Sequence, residues 1–353
     1  MKKKIMKNVC IVLVCFFCTL AFTNICAEPA MAEENGIYDA SPISASGSYS
    51  GRLSDECKDY YKFTLNESGK VTLTISMNTY SGWVGLYDKD YDRLSGKDIY
   101  YDENRRCRYR KENYYFPAGT YYLEISGHEG TYSFIVDFQS ANETISESQT
   151  NRNDILNEAQ DISLDTKYTA LIGYGDEQDF FKFHVPFSGQ VSISHTDFIE
   201  GGRSYFSVLN MEGDCLETFG NYVDDNKGYA EGVCTVSLEE GNYYLKLSDQ
   251  HGVYNFTIKP KPCPAQIART KRNKSRATVY IEKQTGATGY VLKYSTSSDF
   301  KKGNTKSKTV TGTKVKLTGL KKNRYYYLRV KAYKNWNGKT YYSEYGDTST
   351  MYY

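Results

Sequence analysis

Residues Gly119 to Ile135 read GTYYLEISGHEGTYSFI, and Gly241 to Thr257 read GNYYLKLSDQHGVYNFT, a gapless match at an offset of 122 residues. In the first copy Tyr121, Leu123 and Ile125 alternate with Tyr122 and Glu124, and beyond the glycines Tyr132, Phe134 and Val136 alternate with Ser133, Ile135 and Asp137. Period-two alternation broken by a short glycine-containing turn predicts a β-hairpin in each copy. A lone hairpin does not stay folded in water, so each copy predicts a surrounding domain. Two copies predict two homologous domains.

The flanks repeat as well. Asp59 to Leu65 (DYYKFTL) places Tyr61, Phe63 and Leu65 on one face, and Asp179 to Val185 (DFFKFHV) matches it at an offset of 120. Glycine turns at Gly69 and Ser188-Gly189 lead into second apolar runs, and Gly85 to Leu94 and Ser207 to Leu216 each read as strand, polar turn and strand. No segment sustains a 3.6-residue apolar period, so the expected class is all-β, with each repeat a β-sandwich; the fold implied by the resemblance of the last region brings the expectation to three β-sandwich domains in tandem. The stretch from Ser140 to Asn153 is polar and lacks aromatics, and Lys259 to Pro264 is punctuated by proline; both read as linkers. The expected divisions are a leader at 1–32, sandwiches at 37–139, 151–259 and 265–353, and linkers at 140–150 and 260–264.

These residues resemble the bacterial pre-peptidase C-terminal domain family. The match lies in the aspartate before an aromatic strand (Asp59-Tyr60-Tyr61-Lys62-Phe63; Asp179-Phe180-Phe181-Lys182-Phe183), the Ser-Gly turn and the G-x-Y-Y-L motif. The second copy matches better, because Asn153-Asp154 and Ala159 fit the family's usual opening. The resemblance implies a β-sandwich that flanks secreted peptidases and in some members binds collagen, polysaccharide or calcium. No peptidase is attached here, so a protease-accessory role does not carry over. The last region, with Gly289 to Ser295 (GYVLKYS), Leu317 to Leu320 and Tyr326 to Tyr333, resembles a fibronectin type III domain. Tyr326, six residues after Leu320, matches that fold's tyrosine corner, with Tyr326, Leu328, Val330 and Ala332 expected in the core and Arg329 and Lys331 outside. Asn337-Gly338 predicts a hairpin turn, Tyr280 stands where the family usually buries a tryptophan, and no Arg-Gly-Asp tripeptide occurs.

Lys2, Lys3, Lys4 and Lys7 precede the apolar run Val9 to Phe22 and the small residues Ala30 and Ala32, the pattern of a secretory signal peptide. Export is therefore expected, with no membrane span after cleavage. The chain shows neither a sorting signal nor an apolar tail, so release or noncovalent retention at the cell surface is expected. From Lys261 onward there are 21 Lys and Arg against 4 Asp and Glu, a net of +17; from Glu33 to Pro260 there are 19 against 37, a net of −18. Such polarity speaks of partners rather than fold, and an extracellular polyanion is expected at the basic domain. Wall teichoic acid, an acidic polysaccharide and the chain's own acidic repeats all qualify, whereas nucleic acid would bind without specificity.

Chemistry is sparse. The four histidines, His128, His184, His195 and His251, lie in no hydrolase, metalloprotease or phosphate-loop motif, so a non-catalytic protein is expected. Asp88, Asp90 and Asp92 hint at calcium, but an EF-hand loop needs glycine and glutamate where this chain has Arg93 and Ile99, and a solvated turn fits better. Asn153, Asp154, Asp176 and Asp179 form the stronger calcium set, with hard oxygen donors from two segments, although caps and turns use the same residue types. Trp83 and Trp336, in expected loops, and the outward-reading Tyr122 and Tyr244 are binding-face candidates for carbohydrate or a protein ligand. Cys57 with Cys107, and Cys215 with Cys234, are candidate disulfides, with free thiols the alternative. The functional expectation is a secreted or surface-associated binding or structural protein. The alternatives are a polysaccharide- or collagen-binding adhesin and an accessory subunit of a secreted hydrolase.

Overall fold

The computed structural model describes residues 36–55, 57–145, 152–199, 202–248, 251–273 and 276–353. The expected signal peptide and the middle of the first linker lie outside these residues. Among the described residues no helix is long and apolar enough to cross a membrane. The architecture is all-β, as expected, with strands gathered into six sheets and only three short 3-10 turns among the described residues.

In the first repeat one sheet runs, in spatial order, Ser41–Pro42, Lys58–Leu65, Gly119–Gly127, Gly82–Tyr87 and Arg93–Asp98. The facing sheet runs Gly47–Leu53, Gly130–Ser140, Gly69–Asn78, Cys107–Phe116 and Tyr101–Asp102. The second repeat reproduces the first order with Gln160–Asp161, Lys167–Ile172, Gln178–Val185, Gly189–Ile199, Tyr205–Leu209, Cys215–Phe219, Ala230–Leu238, Gly241–Ser248 and Gly252–Lys261, without the short edge strand among the described residues. Each sandwich closes on its own core, around Phe63, Phe116, Tyr121 and Phe134 in the first and Phe181, Phe183, Phe206 and Phe256 in the second.

The expected hairpins are not hairpins. Gly119–Gly127 pairs with Lys58–Leu65 and Gly82–Tyr87, whereas Gly130–Ser140 pairs with Gly47–Leu53 and Gly69–Asn78 in the other sheet. The glycine turn crosses between sheets, so Leu123 and Phe134 meet through the core instead of lying side by side. Gly127 and Gly130 have φ of +158° and +153°, and an added Cβ would lie 2.3 Å from the Ser81 carbonyl oxygen and 2.1 Å from that of Asn78. Only glycine fits so close a backbone approach. The same crossing joins Gly241–Ser248 to Gly252–Lys261. True hairpins do occur where the polar turns lie: Asp88 Oδ1 accepts the Asp90 and Asp92 amides at 2.9 Å, and Asn210 Oδ1 accepts those of Glu212 and Asp214 at 3.1 and 2.8 Å. Asp88 therefore serves the turn.

The third sandwich packs Ile267–Asn273, Arg276–Ile281 and Lys314–Thr318 against Thr305–Val310, Gly289–Ser295, Tyr325–Trp336, Lys339–Tyr342 and Ser349–Tyr352. Tyr326, Leu328, Val330 and Ala332 are buried, and the Tyr326 hydroxyl accepts the Lys321 amide at 2.8 Å, as a tyrosine corner does. Asn337 and Gly338, at φ +46° and +74°, close the hairpin of Tyr325–Trp336 with Lys339–Tyr342. Tyr280 departs from expectation. The inward residues of its strand are Ala277, Val279 and Ile281, and Tyr280 faces outward beneath the Arg269 guanidinium, 3.8 Å from its ring.

The domains touch through small contacts. Tyr174 sets its ring 5.3 and 5.8 Å from Tyr114 and Phe116 of the first repeat, and its amide donates to the Tyr115 carbonyl at 2.7 Å. Asp165 of the second repeat takes the Tyr341 hydroxyl at 2.8 Å and Lys339 Nζ at 2.7 Å from the third sandwich.

Candidate metal centre

Asp59 and Asp179 open equivalent strands, and alternation turns each towards the core, where they are only 7% and 0% exposed. A carboxylate there needs a donor. Tyr132 supplies it to Asp59 and Tyr254 supplies it to Asp179, each from the facing sheet. In the first repeat Tyr61 extends the chain, its hydroxyl 2.5 Å from that of Tyr132. The motif aspartate is thus one half of a staple between sheets, which accounts for its recurrence with a tyrosine in both repeats.

The second repeat adds more. The segment before Leu156 folds back over the strand beginning at Gln178: Phe180 donates its amide to the Asn153 carbonyl at 2.9 Å, and Gln178 donates its side chain to the Asp154 carbonyl at 2.9 Å. The loop after Ile172 turns through Gly175, at φ +80°, and brings in Asp176. Asn153, Asp176 and Asp179 are all at most 1% exposed. Both side-chain atoms of Asn153, both carboxylate oxygens of Asp176 and Oδ1 of Asp154 are buried without a hydrogen-bond partner among the described residues. Arg152 is the neighbouring cation, 3.4 Å from Asp154 Oδ2, and it also donates to the Gly175 carbonyl. Burial first, then the charges of Asp179 and Asp154, push the Asp176 carboxyl up to about 10. Its surroundings thus favour the neutral carboxyl over the carboxylate.

The four sequence-predicted residues do come together, from segments more than 20 positions apart in the chain. Unsatisfied buried oxygens are costly, and they suit a hard divalent cation that takes oxygen ligands. Even so, no group of three or more His, Cys, Asp or Glu side chains among the described residues is already arranged to hold a metal. The site is a buried acidic cluster whose side chains would have to turn inward around an ion. Asp154 also lines an open cavity of about 400 Å³ with Leu156, Gln178 and Phe180, which the other three residues of the cluster do not line. At the offset of the aspartate strands, Asp176 corresponds to Glu56, which lies outside the described residues.

The aromatic candidates fall elsewhere than expected. Tyr122 and Tyr244 are buried, at 6% and 8% exposure, because the outer faces of their strands are covered too. Tyr91 and Lys62 lie over Tyr122, while Tyr244 packs with Phe180, Leu209, Leu156 and Ala159. Trp83 is in a strand rather than a loop, and its ring fills the space above Gly85 and Gly96. Trp336 ends a strand and is 38% exposed. The candidate disulfides are absent: Cys57, Cys107, Cys215, Cys234 and Cys263 are all free thiols. Cys215 and Cys234 lie in strands of opposite sheets, and Cys57 precedes the strand Lys58–Leu65 whereas Cys107 begins a strand of the facing sheet.

One polar cluster had no motif to announce it. His195 Nδ1 lies 2.7 Å from Asp197 Oδ2, Ser204 donates to the same oxygen, and Asn221 Nδ2 lies 3.0 Å from His195 Nε2. Ser, His and Asp are the residue types of a hydrolase triad, but there the hydroxyl must face the imidazole. Here it faces the carboxylate, so the cluster cannot activate Ser204 through His195. Its only sequence signal is the polar residue pair His195 and Asp197 at inward positions of an otherwise apolar strand.

Two repeats of one strand order, each stapled by an Asp–Tyr pair, and a third sandwich with a tyrosine corner are two pre-peptidase C-terminal-like domains followed by a fibronectin type III-like domain. Among solved structures, the chain is similar to the pre-peptidase C-terminal domain of a collagenase from Bacillus anthracis, at 21% identity and a TM-score of 0.23, over 29% of this chain and 94% of that one. It is also similar to a two-domain fibronectin type III segment of chicken tenascin, at 13% identity and a TM-score of 0.24, over 48% of this chain and 95% of that one. Neither a protein-family model nor a curated protein matches the chain.

Proposed function

We propose that this chain is an exported, non-catalytic binding protein retained at a bacterial surface by its basic C-terminal domain, which takes an anionic polymer of the wall. The observation that carries this reading is unneutralised charge. Of the 21 Lys and Arg from Lys261 onward, only Lys261, Lys301 and Lys339 enter ion pairs among the described residues. A net of +17 exceeds the magnitude of about 2–8 that solubility asks of a small domain. The acidic repeats satisfy little of it, since Lys339 is the one cation of this region paired with them among the described residues, through Asp165. An external polyanion such as teichoic acid fits better. The test is retention of the full chain on purified walls with and without teichoic acid, across salt. Surface charges are screened over about 8 Å at physiological ionic strength, so retention should fall steeply with salt. Equal retention on both walls, or retention indifferent to salt, would refute the reading.

The second repeat supports a further element, a structural calcium ion held by Asn153, Asp154 and Asp176 beside Asp179. Their unsatisfied buried oxygens favour it. Bound there, the ion would displace the Asp176 proton and tie the segment before Leu156 to the loop after Ile172. The adhesin alternative has less behind it, because two of its four aromatic contacts are buried.

A further inference from the structure

The positive charge of the third sandwich is not evenly spread. On the outer face of its larger sheet, Lys293 stands directly opposite Arg329 in the strand register, and Lys331 follows two residues along. Side chains two apart on one strand face share a side and sit about 7 Å from each other, and directly paired residues about 5 Å. All three cations gather on one ring: Tyr345 has Arg329 at 4.4 Å, Lys293 at 4.9 Å and Lys331 at 5.3 Å from its centroid. Phe300 also takes the Arg329 guanidinium, at 4.2 Å, and Tyr342 takes Lys331 at 3.9 Å.

Three features make this more than a soluble surface. First, no carboxylate is ion-paired with Lys293, Arg329 or Lys331 among the described residues, and Glu344, beside Tyr345 in the chain, is engaged by Lys261 at 3.2 Å. Like charges so close repel: burial first and then Lys293 lower the Lys331 pKa, and the opposing pull of Glu344 does not cancel them. Second, Arg329 Nε is buried without a hydrogen-bond partner among the described residues, while its guanidinium packs on the rings of both Phe300 and Tyr345. The guanidinium carries its donors along its edge, where they can meet an anion in a bidentate fork. Third, Phe300 reaches Arg329 from a left-handed conformation, φ +53°, which is costly for a bulky residue and is found where the surrounding structure enforces it.

We propose that this face is the docking surface for a linear phosphodiester polymer, with one phosphate on Arg329, Lys293 and Lys331 and the adjoining polyol or sugar against Tyr342. The proposal rests on the polyanion reading above and assigns it a place and a chemistry. A planar carboxylate spends both oxygens on the arginine fork. A tetrahedral phosphate keeps oxygens for the two lysines that converge on the same point.

The experiment compares full-length variants for binding to fluorescently labelled poly(glycerol phosphate), with poly(glutamate) and duplex DNA as competitors. Lys293→Gln, Arg329→Gln and Lys331→Gln are combined in one variant. A charge-matched control combines Lys271→Gln, Lys314→Gln and Lys316→Gln, all exposed on the other sheet. The face variant should weaken binding at least tenfold and flatten the salt dependence by about 2 in log–log slope, from about 0.7 per lost contact. The control should lose less than threefold. Arg329→Lys, which keeps the charge and loses the fork, should weaken binding and guards against a triple variant that does not fold. Equal losses in both triple variants would overturn the face while leaving the polyanion reading standing. Stronger competition by poly(glutamate) than by unlabelled polymer would overturn the phosphodiester chemistry, and stronger competition by duplex DNA, itself a phosphodiester, would overturn the polyol contact at Tyr342. Absence of binding by the native chain would remove the polyanion reading itself.

Discussion

Replacing Asp176 with asparagine tests the acidic cluster most directly. With a chelator present, the native carboxyl keeps its proton to about 10, against an ordinary value of 3.8. The folded state thus binds a proton that the unfolded chain releases, and this contribution is full below pH 3.8 and lost as pH rises towards 10. The steepest slope for one group is about 1.4 kcal/mol per pH unit, so between pH 5 and 8 the native chain forfeits at most about 4 kcal/mol. A side-chain amide cannot ionise, so Asp176→Asn should show a flatter decline in stability over that interval. At about 4 °C per kcal/mol for a domain near 100 residues, the ceiling is about 15 °C in the second repeat's melting midpoint. Calcium should reverse the order. At 100-fold excess over its dissociation constant it stabilises the native chain by about 2.7 kcal/mol, and the variant should forgo that gain. Thermal melts at pH 5 and pH 8, in chelator and in millimolar calcium, give all four arms. The reasoning fails if native chain and variant share the same pH slope in chelator. The ion assignment fails separately if the variant keeps the full calcium shift.

Other substitutions probe the frame around that cluster. Tyr254→Phe and Tyr132→Phe each leave a buried aspartate short of a donor and should cost about 1–3 kcal/mol in urea unfolding; an unchanged midpoint would deny the inter-sheet staple. Gly130→Ala drives a Cβ to 2.1 Å from the Asn78 carbonyl oxygen and should destabilise the first repeat by about 1–3 kcal/mol, whereas a tolerated alanine would mean that the sheet crossing is looser than described. Tyr326→Phe removes the corner hydrogen bond to Lys321 and should lower the third sandwich's stability by about 1 kcal/mol, read from its denaturation midpoint; a larger loss would point to packing instead.

The amino-acid order alone was enough for the class of fold, because side-chain direction in a strand alternates and needs no partner to be read. Tyr121, Leu123 and Ile125 are buried as their alternation requires, and Asn337-Gly338 makes its hairpin because a local backbone preference decides it. Which strands pair was a different matter. Alternation on both sides of Gly127 and Gly130 is the same whether the chain folds back in one sheet or crosses to the next, and the close approach to Ser81 and Asn78 selects the crossing. Tyr122 and Tyr244 read outward and still became buried, because segments distant in sequence cover those faces. The acidic residues were legible as donors, yet the Asp176 proton and the Arg152 contact depend on a buried meeting of three segments. His195 and Asp197 carried no motif, and Arg329 read only as a surface cation. Its place between Phe300 and Tyr345 belongs to the tertiary structure, since those rings stand 29 and 16 residues away and only the closed sandwich brings them to it.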